Sequence, residues 1–239
     1  MSYNNGVKIV NDGLVAYYDA TGLKSYPNGG STWYDLSGYG NNLSWTSPAP
    51  TYTTYNNVPV ISTTNIASSL RAAKSTTYNG MRLLTDSYTA FAFFKPNSTT
   101  SNKILVSFGP ANNNCGGESI HPIAIGSSGK FAGGACGGLG TWGGSSGVTP
   151  TTDRFWCVCS TYSSPNETIY VNGDVDKTAT MTTSTPSSVN NAISLGWIRD
   201  DGASYSMDAN IGMILLYNRA LTSSEVTRNY NAMKSRFRL

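Results

Sequence analysis

Of the side chains that perform acid, base or nucleophilic chemistry, this 239-residue chain has one histidine, His121, and three widely spaced glutamates, Glu118, Glu167 and Glu225. One imidazole excludes multi-histidine metal centres. It leaves a single candidate general base, placed before Pro122 in a glycine-dense stretch, where a surface or structural histidine is the plainer reading. Retaining glycoside hydrolysis needs two carboxyl groups about 5 Å apart. No acidic trio alternates along one strand here, so that chemistry is not expected. Asp174 and Asp176 share a strand face, but a hairpin arm just past an Asn-Gly turn is expected to be solvated, which does not suit a catalytic pair. There is no G-x-S-x-G elbow, dinucleotide fingerprint or phosphate loop, and the chain is read as not an enzyme. Cys115, Cys136, Cys157 and Cys159 lack zinc-site spacing. Cys157 and Cys159 are two apart on one strand face and are expected as buried, reduced thiols. A Cys115–Cys136 bridge would need an oxidising compartment.

Recognition chemistry is better represented. Sugar rings stack on exposed aromatics while neighbouring polar groups orient their hydroxyls. Trp142 in GTWGGSSG is the first such candidate, because its glycine neighbours cannot bury it locally. Tyr39, Trp45 and Tyr205 follow, with Asp200, Asp201 and His121 as polar companions. Asp35, in the DLSG turn, is expected to hold backbone amides rather than an ion.

The elements that must position these residues are strands. Hydrophobic residues make up 39% and charged residues 12% of the chain, with abundant Ser, Thr, Asn, Gly and Tyr, which suits short strands and polar turns. Residues 13–20 read as a first strand with Leu14, Ala16 and Tyr18 on one face. Residues 22–50 read as loop, anchored in the core by Trp33 and Leu36. Residues 88–96 form an aromatic strand that stops at Pro96, which has no amide to donate to a ladder. Residues 103–109 are a buried apolar run, and a hairpin turns around Ser127, Ser128 and Gly129. Residues 154–164 and 167–176 are strands, the second turning at Asn172-Gly173, whose positive φ angles fit a type I′ turn and set Val171 opposite Asp174 and Tyr170 opposite Val175. After a strand at 211–218 the period changes. Thr222 and Glu225 make a capping box, Leu221 and Val226 a hydrophobic staple, and Val226, Tyr230, Met233 and Phe237 one apolar helix face. Lys234, Arg236 and Arg238 then complement the carbonyl end of that helix. The net charge of +3 without a basic stripe argues against nucleic acid. No apolar run has the length of a signal peptide core or a membrane span, so membrane insertion is not expected.

Four blocks carry a family resemblance: GLVAYYDA with SYPNGGSTWYDLSGYGNN, YTAFAFFKP, FWCVCSTY with IYVNG, and IGMILLYNRALTSSEVTRNYNAMKSRF. They resemble the laminin G-like, concanavalin A-like jelly-roll family, with Phe93 and Phe155 standing where that family has tryptophan. The resemblance implies an all-β, two-sheet antiparallel sandwich whose first and last strands lie side by side, with one short C-terminal helix. It makes residues 12–239 one domain after a lead-in or attachment segment, residues 1–11. NNNCGGESIHP and CGGLGTWGGSSG depart from the family and are read as specialised surface or as spacers. YNRALTSSEV followed by NYNAMKSRF is similar to modules of structural proteins in tailed bacteriophages and other large viruses. That likeness implies a non-enzymatic virion surface protein, a capsid decoration, head fibre or tail-associated adhesin, assembled in the host cytoplasm. Its partners would be other virion proteins, further copies of itself in a homo-oligomer or cluster, and host-surface glycans. A lectin-like carbohydrate-binding module is the alternative, and a glycoside hydrolase ranks third. Some relatives hold calcium with loop oxygens, which makes Asp200, Asp201 and Asp208 calcium candidates; no other cofactor is implied.

Overall fold

The computed structural model describes residues 7–27, 30–45, 50–63, 87–109, 116–137, 144–181, 192–195 and 205–239. In chain order the strands are β1 (Leu14–Asp19), β2 (Thr32–Trp33), β3 (Leu43–Ser44), β4 (Thr51–Tyr55), β5 (Val58–Ser62), β6 (Tyr88–Pro96), β7 (Lys103–Gly109) and β8 (Gly116–Ile125). They continue with β9 (Phe131–Gly133), β10 (Ala135–Gly137), β11 (Gly144–Ser145), β12 (Trp156–Ser163), β13 (Asn166–Val171), β14 (Asp174–Thr180), β15 (Ala192–Leu195) and β16 (Ala209–Tyr217). Helix α1 (Ser223–Met233) and a 3-10 turn (Lys234–Phe237) close the chain. One sheet has eight strands in the order β14-β13-β12-β6-β16-β5-β4, with β1 also paired to β16; the other has six, β11-β9-β8-β7-β15, with β10 on β8. All strand pairs between these elements are antiparallel, and β1 runs along β16 from Leu14 opposite Tyr217 to Asp19 opposite Met213. The chain is therefore an antiparallel sandwich whose first and last strands adjoin.

The central strand β6 shows why the layers form. Tyr88, Ala90, Ala92 and Phe94 face inward, in one cluster with Val158, Ile214 and Leu216 of neighbouring strands and with Ile120, Ile123 and Phe131 of the other sheet. Phe91 and Phe93 face outward, yet they are fully buried. They meet Val226 and Phe237, because the C-terminal helix covers this outer face. A strand covered on both sides needs no polar alternation, which explains its continuous apolar run. The helix begins as its sequence dictates: Glu225 N donates to Thr222 Oγ1, and the Glu225 carboxylate accepts from Thr222 N at 2.9 Å. Arg219 pairs with that carboxylate at 2.6 Å and holds it down to about 2.

Four expectations need correction. A bulge between Leu14 and Ala16 turns Leu14 to the helix side, away from the Ala16 and Tyr18 face. Leu36 is 37% exposed rather than a core anchor, because the turn it occupies lies on the outside of β1; Trp33 is fully buried as expected. The 22–50 loop contains the short β2–β3 pair. Arg236 does not serve the helix end: its guanidinium reaches back to Asp19 at 2.7 Å, while the Lys234 ammonium sits 5.3 Å from the Tyr230 ring. The Asn172-Gly173 turn has the expected positive φ angles, 51° and 88°. Cys157 and Cys159 are buried free thiols, and burial raises both pKa values well above the usual thiol range. Cys115 and the Cys136 side chain lie outside the described residues.

One carboxyl is sealed between the sheets. Glu167 is 1% exposed, its Oε1 accepts from Ser160 Oγ at 2.5 Å and Tyr88 Oη at 3.4 Å, and its Oε2 has no hydrogen-bond partner among the described residues. A Cβ at Gly133 of the facing sheet would collide with this carboxyl, so the glycine makes the close approach possible. Desolvation pushes Glu167 up to about 7. Its raised pKa is a property of the core, since no solvent reaches it.

Candidate functional site

A groove of about 960 Å³ opens where residues 7–11, β1, the DLSG turn and the end of α1 converge. Each wall is fixed by hydrogen bonds. Val10 N donates to Asn229 Oδ1 at 2.8 Å, Tyr217 Oη donates to Val10 O at 2.9 Å, and Arg228 Nε donates to Lys8 O at 2.8 Å, which lays residues 7–11 along the helix. Asn229 is fully buried for this purpose. On the other side the Asp35 carboxylate accepts from Tyr17 N (2.9 Å), Ser37 N (2.8 Å), Ser37 Oγ (2.7 Å) and Asn41 N (3.0 Å). Asp35 thus holds backbone amides, as its sequence context suggests. Asp35→Ala leaves those amides without their acceptor and is expected to cost about 2–3 kcal/mol in urea unfolding. A loss below about 0.5 kcal/mol would mean that water replaces the carboxylate at no penalty.

The floor carries the polar groups. Asp19 Oδ1 accepts from Thr21 N and Thr21 Oγ1, and Oδ2 from Tyr17 Oη (3.1 Å) and Arg236 Nη2 (2.7 Å). Asp19 is 6% exposed in its side chain and Arg236 35%, so the acid is spent behind the wall while the guanidinium borders the groove. Arg236 Nη2 also contacts Thr21 Oγ1, and Nη1 lies 3.4 Å from Met233 Sδ. Burial, reinforced by Asp19, pushes the Tyr17 phenol up to about 12, so it stays a neutral donor. Leu36 and Met233 add apolar surface, and no carboxylate lines the groove among the described residues. Such an arrangement can hydrogen-bond and pack against a ligand; it has no paired acids for hydrolysis.

Most sequence candidates lie elsewhere. Trp45 is only 8% exposed and packs on Trp33 and Tyr26, with ring centres 6.0 and 6.5 Å away. The alternation Leu43 in, Ser44 out, Trp45 in turns its ring to the core. His121 is 1% exposed, and desolvation drives its pKa down to about 3, so it is neutral and away from solvent. Tyr205 packs on Ile104 and Ala124 of the six-stranded sheet. Asp208 Oδ1 accepts from Asn97 Nδ2 at 2.8 Å, and no group of three or more potential metal ligands occurs among the described residues. Trp142, Asp200 and Asp201 lie outside the described residues. Tyr39, 45% exposed, stands two residues beyond the groove-lining Ser37. Lys8, Asn11, Tyr17, Ser37 and Arg236 were not singled out from sequence as ligand-contacting. Their signal was weak: they come from both ends of the chain and meet only because β1 pairs with β16.

The fold has solved counterparts. Domain 4 of AbnA, a GH43 extracellular arabinanase from Geobacillus stearothermophilus in complex with arabinotriose, superposes with a TM-score of 0.68 at 17% identity, covering 91% of this chain and 98% of that one. Trypanosoma rangeli sialidase in complex with 2,3-difluorosialic acid gives 0.64 at 14% identity; 94% of this chain is covered, but it spans only 33% of the sialidase. No curated protein matches the chain. At these identities the likenesses establish the fold alone. The Laminin_G_3 family model, described as the concanavalin A-like lectin/glucanases superfamily, matches residues 68–227. With that match over more than half its length, and with its end strands paired in an antiparallel sandwich, the chain belongs to the concanavalin A-like lectin/glucanases superfamily.

Proposed function

We propose that this chain is a non-catalytic glycan-binding module and that its groove beside β1 is the binding site. The observation that carries the reading is a solvent-open depression lined by Tyr17, Arg236, Asn11, Ser37 and apolar side chains, with no carboxylate among its described lining residues. Oligosaccharides offer hydroxyls to such polar groups and C–H faces to such walls. The arabinotriose held by the arabinanase domain is consistent with the reading. Tyr39, exposed and two residues beyond the lining Ser37, is an aromatic on which a sugar ring can stack.

The setting in which this module works is a virion surface, as a capsid decoration, head fibre or tail-associated adhesin. The wording of residues 217–237 supports this second part, and adhesion to host glycans joins the two. A glycan array tests the first part. The expected result is a saturable signal for one glycan class, weakened roughly tenfold (about 1.4 kcal/mol) by Leu36→Asp, which places a carboxylate in the groove wall. Absence of signal across plant, bacterial and animal glycans would contradict it. The second part fails when the chain is found only as free cytosolic protein and never in purified particles.

A further inference from the structure

We propose that the ligand of this groove is an anionic glycan, one that presents a carboxylate or sulfate to Lys8 and Arg236. The inference rests on the glycan-binding reading above and narrows it to a substrate class. Lys8 borders the groove and is exposed; its backbone carbonyl is used by Arg228, and its ammonium has no partner among the described residues. The Asn11 side-chain amide, also exposed, has none there either. Arg236 spends Nη2 on Asp19 and Thr21, offers Nη1 only a thioether sulfur, and leaves Nε without a partner among the described residues.

The acids nearby are engaged with other partners. Asp19 already takes four donors and Asp35 takes four, and Asp12 is paired with Arg219 at 2.9 Å. The exposed Arg228 and Arg238 carry further positive charge on the same C-terminal segment. A neutral sugar can accept hydrogen bonds from these groups but brings no charge to pair with the two cations. A groove with donors in excess, two of them cationic, favours a ligand with acceptors in excess. Partial exposure keeps each contact modest and sensitive to salt.

The test is calorimetric titration with a matched pair of oligosaccharides, a uronate-containing one and its carboxyl-reduced form, together with a sulfated analogue, free acetate and inorganic sulfate. The proposal expects the acidic forms to bind about five- to tenfold more tightly at about 20 mM salt, with the gap closing near 300 mM. It expects Lys8→Ala to remove most of that gap without changing the melting temperature, since only the Lys8 main chain holds the helix. Equal affinity for the acidic and reduced forms overturns the charge preference and leaves the glycan reading standing. No binding by either form overturns both. Free sulfate or acetate binding as tightly as the acidic glycan makes the groove an anion site and removes the glycan reading.

Discussion

Glu167→Gln is expected to gain stability over the native protein as pH rises from about 4.5 to about 7, by about 3 kcal/mol across that window, and to hold the gain above it. The native carboxyl titrates near 7 in the folded state against 4.5 as its ordinary value, so folding retains a proton that the unfolded chain has lost. Stability from this group is therefore complete below 4.5 and is lost as pH climbs through 7. The neutral amide keeps the acceptor for Ser160 and has no charge to bury. His121 works in the opposite direction: its pKa is lowered to about 3, so its contribution is lost as pH falls from the ordinary value of 6.5 towards 3. The two slopes oppose one another between 4.5 and 6.5, which is why the difference between variant and native protein, and not either profile alone, isolates Glu167. Urea unfolding at pH 4, 5.5, 7 and 8.5 provides the comparison. Parallel profiles for the two proteins would show that the carboxyl does not titrate inside the sandwich.

Phe237→Ala is expected to cost about 3–5 kcal/mol. The ring is 1% exposed, stacks on Phe93 at 4.6 Å between centres and meets Phe155 at 5.3 Å. It also fills the space above Gly212, where a Cβ would strike it. Truncation opens a cavity between helix and sheet and releases the segment that carries Arg236 to Asp19. Thermal unfolding checks the stability, and a loss under about 1 kcal/mol would show that the C-terminal turn contributes little to the core.

How far the fold was legible in the sequence depends on the range of the physics. The strand from Tyr88 to Pro96, the Asn172-Gly173 turn and the Thr222 cap rest on local rules, and each appears where its residues place it. The neighbouring of β1 and β16 came from the family resemblance rather than from local pattern. Leu14 was misassigned because a bulge breaks the two-residue period, and a bulge has no local signature here. Arg236 reads as a helix-end cation until the partner 217 residues away is known. Trp45 has the composition of a sugar platform, but burial, which decides availability, depends on the Trp33 and Tyr26 rings beside it. The groove was the least legible feature, since its walls are assembled from the two ends of the chain.

The proposed activity of this sandwich is to bind glycans, without cleaving them, in the groove lined by Lys8, Asn11, Tyr17, Ser37, Met233 and Arg236. Its most direct test is a nuclear magnetic resonance titration of isotope-labelled protein with an oligosaccharide selected on the array. Saturable shifts confined to those residues and their neighbours, with the sugar recovered intact, are predicted. Shifts centred on another face, or new reducing ends in the sugar, would contradict the account.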